Sequence, residues 1–335
     1  MQSDLFDFDK CRVKVLGDPH LGRSFLNGVP LARRGDREKL QWADFEASLF
    51  NLEGAHVHVC MGDLFDRWAV PYEVIWRCAA VYREAHRKRP GVRYVVLQGN
   101  HDASKDLTKV SAFKIFTGLV DSFVTVVRDE PLRLRDLGLT FIPWDPVINA
   151  AEMVEKHKDL IAGSTAVFGH WDIVAVGETS NLLPVDLLHT GCNVEWIITG
   201  HEHTRRMLKY NDRPVVVTGS MQPYSFAEDT EGKLYVTHTL DEVKAALAAD
   251  ADAFAWKNLR IQLKAGETLT ETINCLQLKL VPADAADEEQ ESVGEVEFEV
   301  FKFEDLFAKA LADNGVSADF IELAKQRWDA ERVKG

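Results

Sequence analysis

The stretch Tyr94-Val95-Val96-Leu97-Gln98-Gly99-Asn100-His101-Asp102 is an apolar, β-branched run that stops at a glycine and then offers an amide, an imidazole and a carboxylate. It predicts a buried strand with chemistry at its carboxyl end. The same grammar recurs on either side. Arg12-Val13-Lys14-Val15-Leu16 leads into Gly17-Asp18-Pro19-His20, and Val57-His58-Val59-Cys60-Met61 leads into Gly62-Asp63. Thr165-Ala166-Val167-Phe168 leads into Gly169-His170, and Trp196-Ile197-Ile198-Thr199 into Gly200-His201-Glu202-His203. Between them, Asp36 to Leu52 and Tyr72 to Arg89 keep helical spacing with no internal Gly or Pro. This alternation implies an α/β fold. In open α/β sheets ligand sites lie beyond the carboxyl ends of strands, where all five polar clusters fall.

Together the clusters supply Asp18, Asp63, Asn100, His20, His170, His201 and His203. Carboxylate oxygen and neutral imidazole nitrogen suit divalent first-row metals, and the absence of a Cys among them argues against a structural zinc. Seven candidate ligands are too many for one tetrahedral ion and suit two adjacent ions sharing a carboxylate. Paired divalent ions are the common apparatus of phosphate-ester hydrolysis: they polarise the phosphoryl oxygens, acidify a water and stabilise in-line attack.

Each cluster also has a plainer reading. Asp-x-His behind a strand is more often a turn or a helix cap than a ligand pair. Gly62-Asp63 or Gly169-His170 alone carries almost nothing. Gly99-Asn100-His101-Asp102 fixes four residues and is not expected by chance in 335 residues at ordinary usage. All five in order, each behind a strand-like run, decide for a two-metal site. His56, His58, His86, His157, His189 and His238 lack such a setting and read as ordinary core or surface histidines.

Taken in order, D-x-H, G-D-x-x-D, G-N-H-D, G-H and G-H-x-H resemble the calcineurin-like metallophosphoesterase superfamily. The resemblance implies a four-layer α/β/β/α sandwich. It also implies that Asp18, His20 and His203 hold one ion, that Asn100, His170 and His201 hold the other, and that Asp63 bridges them. His101 would contact the scissile phosphate and help the leaving group depart, as a proton or hydrogen-bond donor to the departing oxygen. Asp66 and Asp102 would orient imidazoles, or else cap a helix.

Finer features narrow the resemblance. Gly17-Asp18-Pro19-His20-Leu21-Gly22 and Gly62-Asp63-Leu64-Phe65-Asp66 are similar to the SbcD-type nuclease subunit of double-strand-break repair. Ile142-Pro143-Trp144, Gly169-His170-Trp171 and the acidic-then-helical tail are similar to its phage branch, the recombination endonuclease subunit. That likeness implies two manganese ions, with magnesium as the alternative. It implies DNA hydrolysis, 3′-to-5′ on duplex ends and endonucleolytic on single strands. A homodimer bound to an SbcC-type coiled-coil ATPase belongs to the same picture, as does the host cytoplasm for a phage-encoded chain. A metallophosphatase or small phosphodiesterase is the competing reading, because Gly62 to Arg67 also resembles the G-D-x-x-D-R of protein phosphatases. Against it, Trp68 stands where that family has Gly, and Asp102 where it has Glu. A catalytically silent scaffold is the third reading, but it need not keep all seven ligands and His101.

Four segments are expected: a phosphoesterase domain over 1–240, a small α+β appendage over 241–282, a linker over 283–300 and a partner-binding helical hairpin over 301–335. Strands at Pro214 to Val217 and Lys233 to Thr237 should extend the main domain. Leu240 to Ala255 reads as a helix or connector, and Trp256 to Pro282 as partly β. In the tail, Phe303, Leu306, Phe307, Leu311, Phe320, Leu323 and Trp328 offer apolar anchors that suit a helix-in-groove ligand. A helical pair packed on its own domain would look the same.

The net charge of −14 argues, at first sight, against a polyanionic partner. Eight acidic residues and no basic one fall between Asp284 and Glu299, however, and without those eight the total is −6. Two divalent ions would lower the burden further. DNA is therefore not excluded, and the expectation is weak binding by the isolated subunit. Arg23, Arg33, Arg34, Arg37 and Lys39 follow the first motif, and Arg205, Arg206, Lys209 and Arg213 follow the last, so both groups are candidates for the DNA surface. Arg83 to Arg93 reads as a solvated helix face. Five scattered cysteines with no C-x-x-C pair suit free thiols in a reducing compartment. Neither a signal peptide nor a membrane span is expected.

Overall fold

The computed structural model describes residues 3–104, 106, 108–173 and 181–283, all within one compact unit. The acidic linker from Asp284 and the helical hairpin with its anchors Phe303 to Trp328 lie outside the described residues. Strands β1 (Ser3–Phe8) and β2 (Cys11–Leu16) form a hairpin, and β3 (Val57–Cys60), β4 (Arg93–Leu97) and β5 (Thr125–Val127) add in parallel to make a five-stranded sheet. The second sheet contains β6 (Leu132–Leu134), β7 (Leu139–Phe141), β8 (Ala166–His170), β9 (Trp196–Gly200), β10 (Arg206–Tyr210) and β11 (Arg213–Val217). Its order is β10-β11-β9-β8-β7-β6, parallel from β7 to β11 and antiparallel at both edges.

Period-two patterning stacks these sheets. Val13, Val15, Val57, Val59, Val95 and Leu97 turn inward to meet Leu139, Phe141, Phe168, Ile198 and Val216 of the second sheet. Their alternates Leu16, Cys60, Tyr94 and Val96 face helices α1 (Asp36–Phe50), α2 (Tyr72–Lys88) and α3 (Ala112–Val120). The second sheet buries Val167, Ile197 and Val215 under α4 (Ala150–Lys156) and α5 (Lys158–Ile161). The result is the four-layer α/β/β/α arrangement. In α2 the buried positions Ile75, Cys78, Ala79, Tyr82 and Ala85 fall on one helical face, while His86, Arg87 and Lys88 end the helix where its dipole favours cations.

One expected strand belongs elsewhere. Residues Tyr235–Thr239 (β12) join neither main sheet; they pair in parallel with Asn258–Leu263 (β13), which pairs with Gln277–Pro282 (β14). Helix α6 (Leu240–Ala249), opened by a Thr239/Glu242 capping box, covers this third sheet with Leu240 and Val243. Hydrophobic patterning shows that a segment is a strand but not which sheet completes it, so the appendage begins at β12 rather than after it. The segment after the first motif docks on the appendage. Leu278 N–H donates to the Gly28 carbonyl at 2.8 Å, the Gln277 side chain donates to the Asn27 carbonyl at 2.8 Å, and Arg33 reaches both Asn274 and the face of Trp256. Among the described residues no helix is long and apolar enough to cross a membrane.

Candidate metal centre

Carboxyl ends of strands from both main sheets meet at one place. Asp18 and His20 follow β2, Asp63 follows β3, Asn100 and His101 follow β4, His170 ends β8, and His201 and His203 follow β9. Tight turns bring them in: His20, Asp63 and His201 take left-handed backbone conformations with φ of 47°, 46° and 76°. Non-glycine residues carry that strain mainly where function demands it. Gly99 is required by closeness, since a Cβ there would overlap the main-chain nitrogen and carboxylate of Asp63.

The seven candidate ligands form two groups that share Asp63. In one group His20 Nε2 lies 3.0 Å from His203 Nε2, and both sit within 4.8 Å of an Asp18 oxygen. In the other, Asn100 Oδ1 is 3.0 Å from His170 Nε2 and 2.9 Å from His201 Nδ1, with those two nitrogens 3.3 Å apart. Asp63 Oδ2 stands 3.3 Å from His170 Nε2 and 3.8 Å from His20 Nε2, between the groups.

Three of the imidazoles already spend their other nitrogen. His170 Nδ1 donates to the Met61 carbonyl at 3.0 Å, His201 Nε2 to Asp172 at 2.7 Å and His203 Nδ1 to Glu228 at 3.2 Å. Lone pairs are thus turned on one another across each group. Asp18 Oδ1, fully buried, has no hydrogen-bond partner. A set of convergent N and O lone pairs with no proton to share fits divalent cations. Electrostatics agrees: burial and the neighbouring Asp63 charge push the Asp18 carboxyl up, while burial pulls His20 down and keeps it neutral. Burial would raise Asp63 as well, but the imidazoles of His170, His20 and His101 hold it down. His201 moves up despite its burial, because Asp172 accepts its proton.

Residues 11–205 match the calcineurin-like phosphoesterase family, more than half of the chain. The chain belongs to this family. With the clustered donors, membership makes the protein a dimetal phosphoesterase. No curated protein matches it. Among solved structures it is similar to TT1561 of Thermus thermophilus, at 12% identity and TM-score 0.43 over 62% of this chain and 89% of that one. It is similar to a dimetal phosphatase from Danio rerio at 11% identity and TM-score 0.39, over 62% and 87% of the two chains. Similarity to the phosphopantetheinyl hydrolase of Mycobacterium tuberculosis is 14% with TM-score 0.39, over 64% and 93%. Membership rests on the sequence match and not on these distant structures.

The other expected residues of the phosphoesterase divide. His101 Nδ1 donates to the Asp66 main-chain carbonyl at 2.6 Å, and its N–H donates to Asp63 Oδ1 at 2.9 Å. The Asp66 carboxylate faces His20 Nδ1 at 4.0 Å and pairs with Arg67 and Arg23. Asp102 orients no imidazole; it accepts the N–H groups of Gly99, Leu64 and Phe65 and staples the second motif to the third. Of the basic candidates, Arg23 lies beside the centre, and Arg34 and Arg205 are exposed. Arg33 is spent on Asp36, Asn274 and Trp256, Arg206 on Glu202, Arg213 on the His189 and Val194 carbonyls, and Arg37 is buried against Gln222. Arg33, Arg37 and Arg213 thus tie separate segments together, since a planar guanidinium suits carbonyls as well as phosphates, while Arg206 is paired locally with Glu202.

Sequence reading missed Asp172, Glu228 and Tyr224. Asp172 stands two residues after His170 and was within reach of a motif search. Glu228 and Tyr224 lie 25 and 21 residues beyond His203, with no pattern to link them.

Proposed function

We propose that this phosphoesterase is a DNA nuclease, the nuclease subunit of a break-repair or recombination complex with an SbcC-type ATPase. The supporting observation is a seam between the two stretches that carry the nuclease resemblance. His20 N–H donates to the Asp63 carbonyl at 2.9 Å, Leu21 N–H to Leu64 at 2.9 Å and Asp66 N–H to Leu21 at 3.0 Å. Leu21 and Phe65, the residues that set D-x-H-L-G and G-D-x-F-D apart, are fully buried on this seam. They fix the spacing of His20 and Asp63.

Two divalent ions, manganese first and magnesium as the alternative, would supply polarised phosphoryl oxygens and an acidified water at the donors of Asp18, His20, Asp63, Asn100, His170, His201 and His203. The chain's own contribution is positional and protic. With Nδ1–H tied to the Asp66 carbonyl, Nε2 is the second protonation site of His101; as the imidazolium it would give that proton to the departing oxygen and be left as the neutral Nδ1–H tautomer. Exposed Tyr72, Trp76, Trp68 and Ile115 on and beside α2 and α3 support the homodimer. The phosphatase reading draws on Arg67, which lies 3.3 Å from Asp66 and is two-thirds exposed.

The decisive assay follows end-labelled duplex DNA, single-stranded circular DNA and a phosphoprotein with manganese. Metal-dependent loss of either DNA is expected. Hydrolysis of the phosphoprotein with both DNAs left intact would sink the nuclease reading.

A further inference from the structure

Arg23 stands three residues after His20, and its main-chain N–H donates to the His20 carbonyl at 3.2 Å. Its guanidinium lies over the Tyr224 ring, 4.7 Å from the centroid. Tyr224 is stacked with Phe25 at 6.3 Å and an interplanar angle of 16°, and the buried Arg37 lies 4.7 Å from the Phe25 centroid. Four planar groups thus touch in series, beginning at the metal centre.

Tyr224 is itself a wall of that centre. Its ring meets His20 edge-on at 5.3 Å and His203 at 5.8 Å. Its hydroxyl donates to the Pro19 carbonyl at 2.5 Å and accepts from Gln41. Tyr224 N–H also donates to Glu228, the carboxylate that holds His203. The ring is therefore fixed by the same loop that fixes the ligands.

Arg23, by contrast, is unspent. Its side chain is 29% exposed, and its one ionic partner among the described residues is Asp66 Oδ1 at 3.7 Å, beyond hydrogen-bond length. A guanidinium carries five N–H donors in a planar fork that matches phosphate oxygens. Over the Tyr224 ring and 3.7 Å from the Asp66 carboxylate, with its side chain 29% exposed, it is a cation held beside the centre with fork donors left for a ligand.

We infer that Arg23 binds non-bridging oxygens of the substrate phosphodiester beside the metal centre, and that Tyr224 is the positioning residue that holds it there. This deepens the nuclease reading, but it requires a phosphodiester and not DNA.

The test uses the manganese-loaded full chain with bis(4-nitrophenyl) phosphate as substrate and inorganic phosphate as competing ligand. Arg23→Ala should raise KM about tenfold and weaken inhibition by phosphate by about the same factor, with kcat falling less than about threefold. Manganese titration should still count two ions. Arg23→Lys, which keeps the charge but loses the fork, should fall between the two. Tyr224→Leu should reproduce the KM defect, and Tyr224→Phe, which keeps the ring, should restore it. Unchanged KM and unchanged phosphate inhibition in Arg23→Ala overturn the inference, as does loss of a manganese ion. A defect in Tyr224→Phe equal to that in Tyr224→Leu overturns the role of the ring. An Arg23-dependent KM on the small diester together with intact DNA would refute the nuclease reading and leave this inference standing.

Discussion

Asp172 and Glu228 each take the spare proton of one imidazole, His201 and His203 respectively, and so fix which ring nitrogen carries a lone pair into the centre. Removing such a partner typically costs about 10–100-fold in metal affinity. Asp172→Ala should weaken one manganese ion by that factor and Glu228→Ala the other, read as separate steps in calorimetric titration. Two wild-type steps in both variants would mean the carboxylates are passengers. His101 is bound differently, to a main-chain carbonyl, and His101→Ala should lower kcat by about 10²–10⁴ while both ions still bind. Loss of an ion would make it a ligand instead. The convergence of the seven candidate donors was legible because each stands within three residues after a glycine at or near a strand's end. Their carboxylate partners were not, because Glu228 reaches His203 across a loop whose path no local pattern encodes.

His58 on β3 shows what an element imposes on its residues. The pattern Val57-His58-Val59-Cys60 turns His58 away from the inner core and onto α1, where its ring meets the Ser48 hydroxyl at 3.0 Å. Burial, with the Lys14 charge nearby, pulls its pKa from 6.5 to about 3. The unfolded chain binds a proton there from about pH 6.5 downward while the folded chain refuses it until about pH 3. Stability is therefore complete above the first value and drains away toward the second, by a few kcal/mol on this group alone. His58→Asn should flatten that part of the acid dependence of the urea midpoint. An unchanged slope between pH 6 and pH 4 would show that other groups carry it. The strand character of this segment and of β12 was plain from the sequence. The partners of β12 were not, since Leu259 and Ile261 on β13, with which it builds the third sheet, lie more than twenty residues downstream and behind a helix.

For the whole molecule, charge placement matters more than total charge. Arg33, Arg37, Arg206 and Arg213 are engaged within the fold, while Arg34 and Arg205 are exposed, against a net charge of −14 for the chain. DNA binding by the isolated subunit should be weak and should fall steeply with added salt, as counterion release requires. A flat salt response in an anisotropy titration would point to contacts other than phosphate. On the proposed nuclease reading, removing Phe303 to Gly335 should abolish binding of an SbcC-type ATPase and spare metal-dependent hydrolysis, measured by co-purification and by turnover of the small diester. Retained binding would move the partner surface elsewhere.

The appendage gives this arrangement a mechanical side. The chain leaves the described structure at the end of β14, a strand paired in parallel along its length with β13 and bonded through Leu278 to Gly28. A force applied along the axis of β14 loads the β13–β14 hydrogen bonds together, so the pair shears rather than peels. Gly28 lies five residues from Arg23. A load along β14 is therefore shared with β13 and with the Gly28 carbonyl, in the segment that follows Arg23.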